Sequence, residues 1–232
     1  MIAQINPISG VKWPHAITDD TFSKKQVELI NKQFSNWEKQ FKDPWAREEV
    51  LGYSGIYFFP DCSRWQSVVD DLWNLNNYSY KYNKFNRDYL VVFELSIMRP
   101  NSKYRFHVDA ERKQATGVCY WNKGKDGTIV RSGDLDIHVA YKYNRALWFT
   151  NVTEDTWLDD ARSKNDPNCP WHHYENNTNE ARYTVNINYC PAHLIKSFLI
   201  EKQNQFQHFM TKDEVLWRPL VMGGVKIYNR DK

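Results

Sequence analysis

The segment YLVVFELSIM, residues 89–98, alternates in side-chain type and decides the fold class. From Val91 to Ile97 the odd-numbered residues are apolar, whereas the row between them includes Glu94 and Ser96. Successive side chains of a β-strand point to opposite faces of a sheet. A period of two therefore predicts a half-buried strand with one face on an apolar core.

Further extended segments follow this strand at short intervals. Turn-forming residues separate them at Pro100-Asn101-Ser102, at 122–126 and at Tyr143-Asn144. The predicted strands cover residues 104–109, 115–121, 128–130, 137–141, 146–149 and 182–189. Many short strands between turns predict an antiparallel sandwich or jelly roll.

Two helical patterns lie on the N-terminal side of these strands. Ser23 and Gln26 form a capping-box pattern, after which apolar residues recur at positions 27, 30, 34, 37 and 41. A second apolar stripe follows Pro60 and consists of Trp65, Val68, Val69 and Leu72. Both stripes indicate helices that pack against a sheet. The segment after Pro191 returns to a helical pattern.

The length and composition indicate one globular domain. The chain has 232 residues, of which 41% are hydrophobic and 25% charged, as is usual for soluble proteins. We predict a single domain over 1–232, with helical support over 1–88, a jelly-roll core over 89–190 and a helical extension over 191–232. The predicted fold class is mainly β with flanking helices, an α+β arrangement.

Charge and cysteine usage argue against several classes of partner. A net charge of +3 gives no evidence of a nucleic-acid surface. The four cysteines form no CxxC pair, so a zinc finger or a thioredoxin-like site has no support. The sequence starts without a secretory pattern, and no stretch approaches about 18 apolar residues. We therefore expect a cytoplasmic protein with no membrane partner.

The clearest chemical signal is FHVD, residues 106–109, which contains His107 and Asp109. Residues two apart in a strand share a face, so the two side chains project together. One imidazole and one carboxylate at this spacing can take adjacent positions on a metal. The same spacing also fits a hydrogen-bonded surface pair.

A third metal ligand must come from elsewhere in the chain, and His172 and His173 lie just before the last predicted strand. Two histidines and one carboxylate leave one side of an octahedral iron(II) open, as an oxygenase needs. A structural zinc site instead closes all its positions and prefers cysteine.

The last strand, RYTVNINY at 182–189, has one apolar and one polar face. The polar row begins with Arg182 and Thr184, and it fits either solvent or the interior of a barrel. The guanidinium of Arg182 matches a carboxylate in two parallel hydrogen bonds. A dicarboxylate that chelates iron at one end needs such a cation at its other end.

These stretches, taken in order, resemble the iron(II)- and 2-oxoglutarate-dependent dioxygenase superfamily, particularly its prolyl-hydroxylase-like branch. The matching pieces are HVD at 107–109, TGVCYWN at 116–122, GT at 127–128, NRALWF at 144–149, HHYENNT at 172–178 and ARYTVNIN at 181–188. They extend over the region from Phe93 to Tyr189. The motifs also resemble those of oxygenases encoded by bacteriophages.

The resemblance implies a double-stranded β-helix enzyme that uses iron(II), 2-oxoglutarate and O2 to hydroxylate a C–H bond, with formation of succinate and carbon dioxide. The implied iron ligands are His107, Asp109 and His172, with His173 as the alternative third ligand. The implied contacts to the distal carboxylate of 2-oxoglutarate are Arg182, Tyr120 and Thr184.

The resemblance favours His172 over His173 as the third ligand. Relatives usually carry an apolar residue two positions after this histidine, and Tyr174 fills that position if His172 is the ligand. His173 would then point to the opposite face of its strand.

Two stretches depart from the family pattern. Residues 150–170 form a longer connection than is common before the distal histidine, and we interpret them as a substrate lid or an insertion. Gly127-Thr128 stands where relatives often have two glycines.

The resemblance does not name a substrate, although a protein side chain or a small molecule is favoured over nucleic acid. The oligomeric state also stays open. The alternative functions are a cupin-like metal-binding protein and a structural jelly roll without 2-oxoglutarate chemistry. They differ from the oxygenase in whether the three ligands converge and whether Arg182 points into the barrel.

Overall fold

The computed structural model describes residues 1–40, 52–57, 63–75, 88–109, 113–121, 127–150, 169–191 and 228–229. Two helices lie in these ranges, α1 (Lys24–Gln40) and α2 (Gln66–Leu75), and a 3-10 turn, Ser63–Trp65, leads into α2. The strands are β1 (Ile2–Ile5), β2 (His15–Asp19), β3 (Gly52–Tyr57), β4 (Asp88–Met98), β5 (Ser102–His107), β6 (Ala115–Tyr120), β7 (Ile129–Ser132), β8 (Leu135–His138), β9 (Ala146–Thr150), β10 (Trp171–Asn176), β11 (Arg182–Pro191) and β12 (Tyr228–Asn229).

The strands form two antiparallel sheets. The larger has the order β1-β2-β9-β6-β11-β4-β12, with β3 also paired to β4, and the smaller has the order β5-β10-β7-β8. From β4 to β11 the chain passes between the sheets, so that β4, β6, β9 and β11 lie in one and β5, β7, β8 and β10 in the other. This strand order is that of a jelly roll, which confirms the predicted fold class.

The two predicted helices are present and cover one face of the larger sheet. Ser23 and Gln26 make the expected reciprocal bonds of a capping box, because the Ser23 amide donates to Gln26 Oε1 at 2.9 Å. The helix residues Ile30, Trp65 and Leu72 are buried in one cluster with the outward row of the sheet. That cluster also contains Val91, Phe93, Leu95, Ile97, Val185, Ile187 and Tyr189.

The N-terminal region contains three strands that the sequence did not predict. Strands β1, β2 and β3 extend the larger sheet on either side of its jelly-roll strands. Each is short, and none shows a clean alternation of apolar and polar side chains. They are strands because of their pairing partners, since β1 pairs with β2, β2 with β9 and β3 with β4, and a local pattern does not reveal such a partner.

A second apolar cluster fills the space between the two sheets. It joins Tyr120 of β6, Val130 of β7, and Leu147 and Phe149 of β9. Residues of β11 complete this interior wall, since Arg182 and Thr184 are buried while their neighbours Tyr183 and Val185 belong to the helix-facing cluster. The polar row of the last strand therefore faces the interior of the barrel.

Gly117 marks a close contact between β6 and β9 on the helix-facing side. A Cβ atom at this position would lie 2.7 Å from the ring of Trp148, which is fully buried. We expect Gly117→Ala to lower the free energy of unfolding by about 1–3 kcal/mol through overpacking. Chemical denaturation of Gly117→Ala, Trp148→Phe and the double variant tests this. Strictly additive effects would contradict the direct clash, because a smaller ring should relieve it.

Several predicted elements lie outside the described residues. These are the turn at 122–126, most of the 150–170 stretch and the helical pattern after Pro191. The predicted domain limits stay predictions. Within the described part of the chain, neither helix is long and apolar enough to cross a membrane.

Candidate metal centre

Neighbouring strands of the smaller sheet bring two histidines together. Strand β10 pairs with β5 so that His172 lies directly opposite His107. The ring centroids of the two histidines are 4.3 Å apart. A register shift between His172 and Tyr174 marks a bulge next to this pair, as is common beside functional sites.

Asp109 completes the group just beyond the end of β5. Its Oδ1 lies 3.9 Å from His107 Nε2. The ligand atoms of His107, Asp109 and His172 all lie within 4.8 Å of one another. Two imidazole nitrogens and one carboxylate oxygen at this separation fit the facial ligand set of a non-haem iron(II) site. In the described residues, no other cluster of three potential ligands was found.

His173 does not join this group. Its ring stacks on Phe106 with a centroid distance of 3.7 Å, and it is buried. The neighbouring positions Trp171 and Phe106 belong to a separate small cluster with Cys169. The structure thus brings together the preferred ligand set and leaves the alternative histidine in an aromatic contact. Metal binding by these residues stays a prediction.

His172 is held in the protonation state that a metal ligand needs. Its Nδ1 lies 2.9 Å from the Pro170 carbonyl oxygen and donates to it, which leaves the lone pair on Nε2. Burial lowers the pKa of His172, while Asp109 and the Pro170 carbonyl oppose that shift. The imidazole is therefore neutral near pH 7 and oriented by a backbone acceptor.

Asp109 is a buried carboxylate with a protein donor on each oxygen. Lys113 Nζ lies 2.9 Å from Oδ1, and the Thr116 hydroxyl donates to Oδ2 at 2.6 Å. Burial alone would raise the pKa of Asp109, but Lys113, the two histidines and Thr116 together hold it well below its ordinary range. Asp109 is thus ionised near neutral pH.

Lys113 balances this charge from inside the protein. Its side chain is 9% exposed, and lysines are almost never buried without a partner. Burial by itself would lower the pKa of Lys113. The charges of Asp109 and Glu94 raise that pKa by more, so the net shift is upward. Sequence reasoning missed Lys113, and the only local signal was its position four residues after Asp109.

Thr116 could have been found from the sequence. It shares the inward face of β6 with Tyr120, four residues later, because side chains alternate along a strand. The prediction for that strand assigned a role to Tyr120 alone. The structure shows that the inward row also supports the carboxylate of Asp109.

The three residues predicted to bind a dicarboxylate lie together at the start of β11. Arg182 is 4% exposed, and its guanidinium carbon lies 5.9 Å from the centre of the Tyr120 ring. Thr184 pairs with Tyr120 across β11 and β6, and both are buried. The structure brings these three residues together, and their binding role stays a prediction.

Tyr120 is suited to donate a hydrogen bond. Burial raises the pKa of Tyr120, although contacts with Thr128 and Arg182 partly offset this, so its hydroxyl keeps its proton. The backbone amide of Thr128 donates to the Tyr120 oxygen at 3.2 Å. Because the oxygen already accepts there, its own proton is available to an acceptor such as a carboxylate.

Tyr174 makes a contact with Arg182 that the sequence did not predict. The Arg182 guanidinium carbon lies 4.5 Å from the centre of the Tyr174 ring, within the range of a cation–π contact. Sequence analysis assigned Tyr174 only as the apolar neighbour of a metal ligand. Tyr174 lies two residues after His172 in β10, so its contact with Arg182 is close to the candidate metal ligands.

The candidate metal ligands and the candidate carboxylate-binding residues share the interior of the barrel. Phe149 lies 4.7 Å from the ring of His172 and belongs to the same apolar cluster as Tyr120. A small molecule held by Arg182 and Tyr120 would therefore lie between the two sheets, on the side from which the metal ligands project.

Comparisons with known proteins give only distant likenesses. No protein-family model matches the chain, and no curated protein matches it. A prolyl-4-hydroxylase from Pseudomonas putida is 12% identical, with a TM-score of 0.49, over 77% of this chain and 93% of that chain. A viral collagen prolyl hydroxylase from Paramecium Bursaria Chlorella virus-1, in a 2-oxoglutarate complex, is 10% identical, with a TM-score of 0.48, over 77% of this chain and 96% of that chain.

A third similar structure is an oxidoreductase of the 2OG-Fe(II) oxygenase family from Burkholderia pseudomallei. It is 9% identical, with a TM-score of 0.44, over 76% of this chain and 84% of that chain. Likenesses at this level do not assign the chain to a family. Any function proposed for this jelly roll therefore depends on its own metal-ligand cluster and its own buried arginine.

Proposed function

We propose that this protein is an iron(II)- and 2-oxoglutarate-dependent oxygenase that hydroxylates a C–H bond of a protein side chain or a small molecule. The observation that carries the proposal is the convergence, in one barrel, of a two-histidine, one-carboxylate cluster and a buried arginine with a tyrosine beside it. The cluster suits iron(II), and the arginine suits the far end of a dicarboxylate.

The protein residues divide the work between metal and cosubstrate. His107, Asp109 and His172 would hold iron(II) and leave one side of the ion open. Iron(II), 2-oxoglutarate and O2 would together supply an oxidation that yields succinate, carbon dioxide and a hydroxylated product. Binding and orientation of these reactants is the protein's own contribution.

Arg182 would orient the cosubstrate through its distal carboxylate. A buried guanidinium can donate two parallel hydrogen bonds to that group, and the Tyr120 hydroxyl keeps a proton for a third. Thr184 lies opposite Tyr120 and offers a further hydroxyl. Fixing this end of the molecule fixes the keto acid at its other end relative to the metal ligands.

The barrel interior would also limit access of water. Phe149, Val130 and Leu147 are fully buried in one apolar cluster between the sheets, and the Phe149 ring lies against the ring of His172. An apolar surrounding strengthens the charged hydrogen bonds of Arg182 and suppresses side reactions of an oxidising centre.

A cupin-like metal protein is the rival that shares the ligand cluster. A cupin-like function does not explain why Arg182 is only 4% exposed and packs against two tyrosine rings. A structural jelly roll gives no reason for three converging ligands. These two observations favour the oxygenase over both rivals.

Anaerobic absorption spectroscopy tests the proposal. We expect a weak visible charge-transfer band when iron(II) and 2-oxoglutarate are both added to the purified protein, and no band with either alone. Chelation of the keto acid by protein-bound iron is the cause of such a band. A folded protein that binds iron(II) but shows no band would point to a cupin-like function. One that binds no iron(II) would point to a structural role.

A further inference from the structure

We propose that Thr116, supported by Asn188, is a positioning residue that directs a single oxygen of Asp109 toward the metal. This inference rests on the metal binding proposed above. It concerns the groups behind the ligand, where nothing in the ligand set itself requires a hydroxyl or an amide.

The two residues lie side by side on the inward faces of neighbouring strands. Asn188 of β11 pairs directly with Thr116 of β6. Their relative exposures are 0% and 1%, so their polar atoms are out of contact with bulk solvent. Buried polar side chains are costly unless they form hydrogen bonds, so their partners are expected to be specific.

The bond from Thr116 to Asp109 is short and charge-assisted. The hydroxyl oxygen lies 2.6 Å from Oδ2 of a carboxylate that is anionic. Hydrogen bonds to an ionised acceptor at this distance are about twice as strong as neutral ones. Thr116 therefore holds Oδ2 and leaves Oδ1 as the oxygen nearest to His107 Nε2, at 3.9 Å.

The hydroxyl of Thr116 has only one proton, which forms the hydrogen bond to Asp109 Oδ2. Asn188 Oδ1 lies 3.4 Å from the Thr116 hydroxyl oxygen. In this orientation Asn188 Oδ1 is an acceptor, but Thr116 has no second proton to donate to it. Within the described part of the chain, Asn188 Nδ2 has no hydrogen-bond acceptor. Rotation of the amide by half a turn would let Nδ2 donate to Thr116 and would correct both mismatches.

The resulting chain runs from Asn188 to Thr116 to Asp109. With the amide in this rotated orientation, Asn188 Nδ2 donates to Thr116 and Thr116 donates to Asp109 Oδ2, which aligns the dipoles toward the carboxylate. Such outer residues orient a metal ligand. With Oδ2 held by Thr116, Asp109 would bind the metal through Oδ1 alone. A carboxylate that uses one oxygen leaves a further position open on the metal for small molecules.

Lys113 does not replace Thr116 in this role. Its ammonium lies 2.9 Å from Oδ1, the oxygen that faces the histidine, rather than from Oδ2. It neutralises the carboxylate and donates to Oδ1, so it does not hold Oδ2 away from the ligand group. Thr116 donates to the opposite oxygen, Oδ2.

Cobalt(II) titration without 2-oxoglutarate tests the inference. We expect Thr116→Val to weaken cobalt(II) binding by roughly 10–100-fold, the usual effect of removing an outer residue at a metal site. The visible bands of bound cobalt should also change as the carboxylate rotates. Thr116→Ser keeps the hydroxyl and should restore both affinity and spectrum. Asn188→Leu should give a smaller loss in the same direction, since it acts through Thr116.

The outcomes separate this inference from the proposed function. A wild-type protein that binds no cobalt(II) would overturn the proposed metal site itself. Wild-type binding with an unchanged affinity and spectrum in Thr116→Val would overturn the positioning role alone. If Thr116→Val does not fold by circular dichroism, Thr116→Ala removes the same hydroxyl and decides the question by the same two readouts.

Discussion

His172→Ala is expected to abolish iron(II) binding, whereas His173→Ala is expected to retain it. His172 shares the ligand cluster with His107 and Asp109, and its Nε2 lone pair is set by the bond to Pro170. Loss of one of three protein ligands should weaken binding by more than roughly 100-fold, since even supporting residues typically cost 10–100-fold. His173 contacts Phe106 instead.

The two variants form a matched pair because they remove the same side chain from neighbouring positions of one strand. Isothermal titration with iron(II) under anaerobic conditions measures the affinity, and thermal unfolding reports the loss of packing in each. His173→Ala should lose stability through its buried ring contact but keep its metal. Tight binding by His172→Ala, with loss in His173→Ala, would show that β10 presents its other face to the metal.

The alternation of side chains along a strand made part of this site predictable. The spacing of His107 and Asp109, and the alternation along β11, depend on a local rule that side chains two apart share a face. The sequence left open whether the polar row of β11 faces solvent or the barrel. Burial of Arg182 and Thr184 decides it, because Tyr183 and Val185 pack against the helices.

The residues that sequence reasoning missed act across the fold. Lys113 matters because its ammonium contacts Asp109, and because Glu94, whose charge also raises the pKa of Lys113, lies on β4. Asn188 matters because β11 lies beside β6 in the sheet. Such partners follow from strand order, which a single sequence does not state.

The missed N-terminal strands have the same physical origin. All four residues of β1 are exposed, so no apolar row marks it as a strand. Its register is set by β2, which is in turn set by β9. The two N-terminal helices, by contrast, were predicted correctly because caps and apolar stripes are local signals.

Arg182→Gln is expected to weaken 2-oxoglutarate binding to the iron-loaded protein by on the order of 100-fold, with iron(II) affinity unchanged. Truncating one partner of a buried charge pair costs about 2–5 kcal/mol, and each 1.4 kcal/mol is roughly a factor of ten. Arg182 is suited to such a pair, because it is 4% exposed and packs against Tyr174 and Tyr120.

A matched ligand isolates the distal carboxylate. 2-Oxobutanoate keeps the keto acid that chelates iron but lacks the second carboxylate, so Arg182→Gln should bind it as wild type does. Arg182→Lys keeps the charge and loses the fork of two parallel donors, and it should fall between wild type and Arg182→Gln. Equal losses for both keto acids would place the effect at the metal rather than at the carboxylate. If Arg182→Gln binds both keto acids as tightly as wild type does, Arg182 does not bind the distal carboxylate. The argument for an oxygenase over a cupin-like protein would then fail.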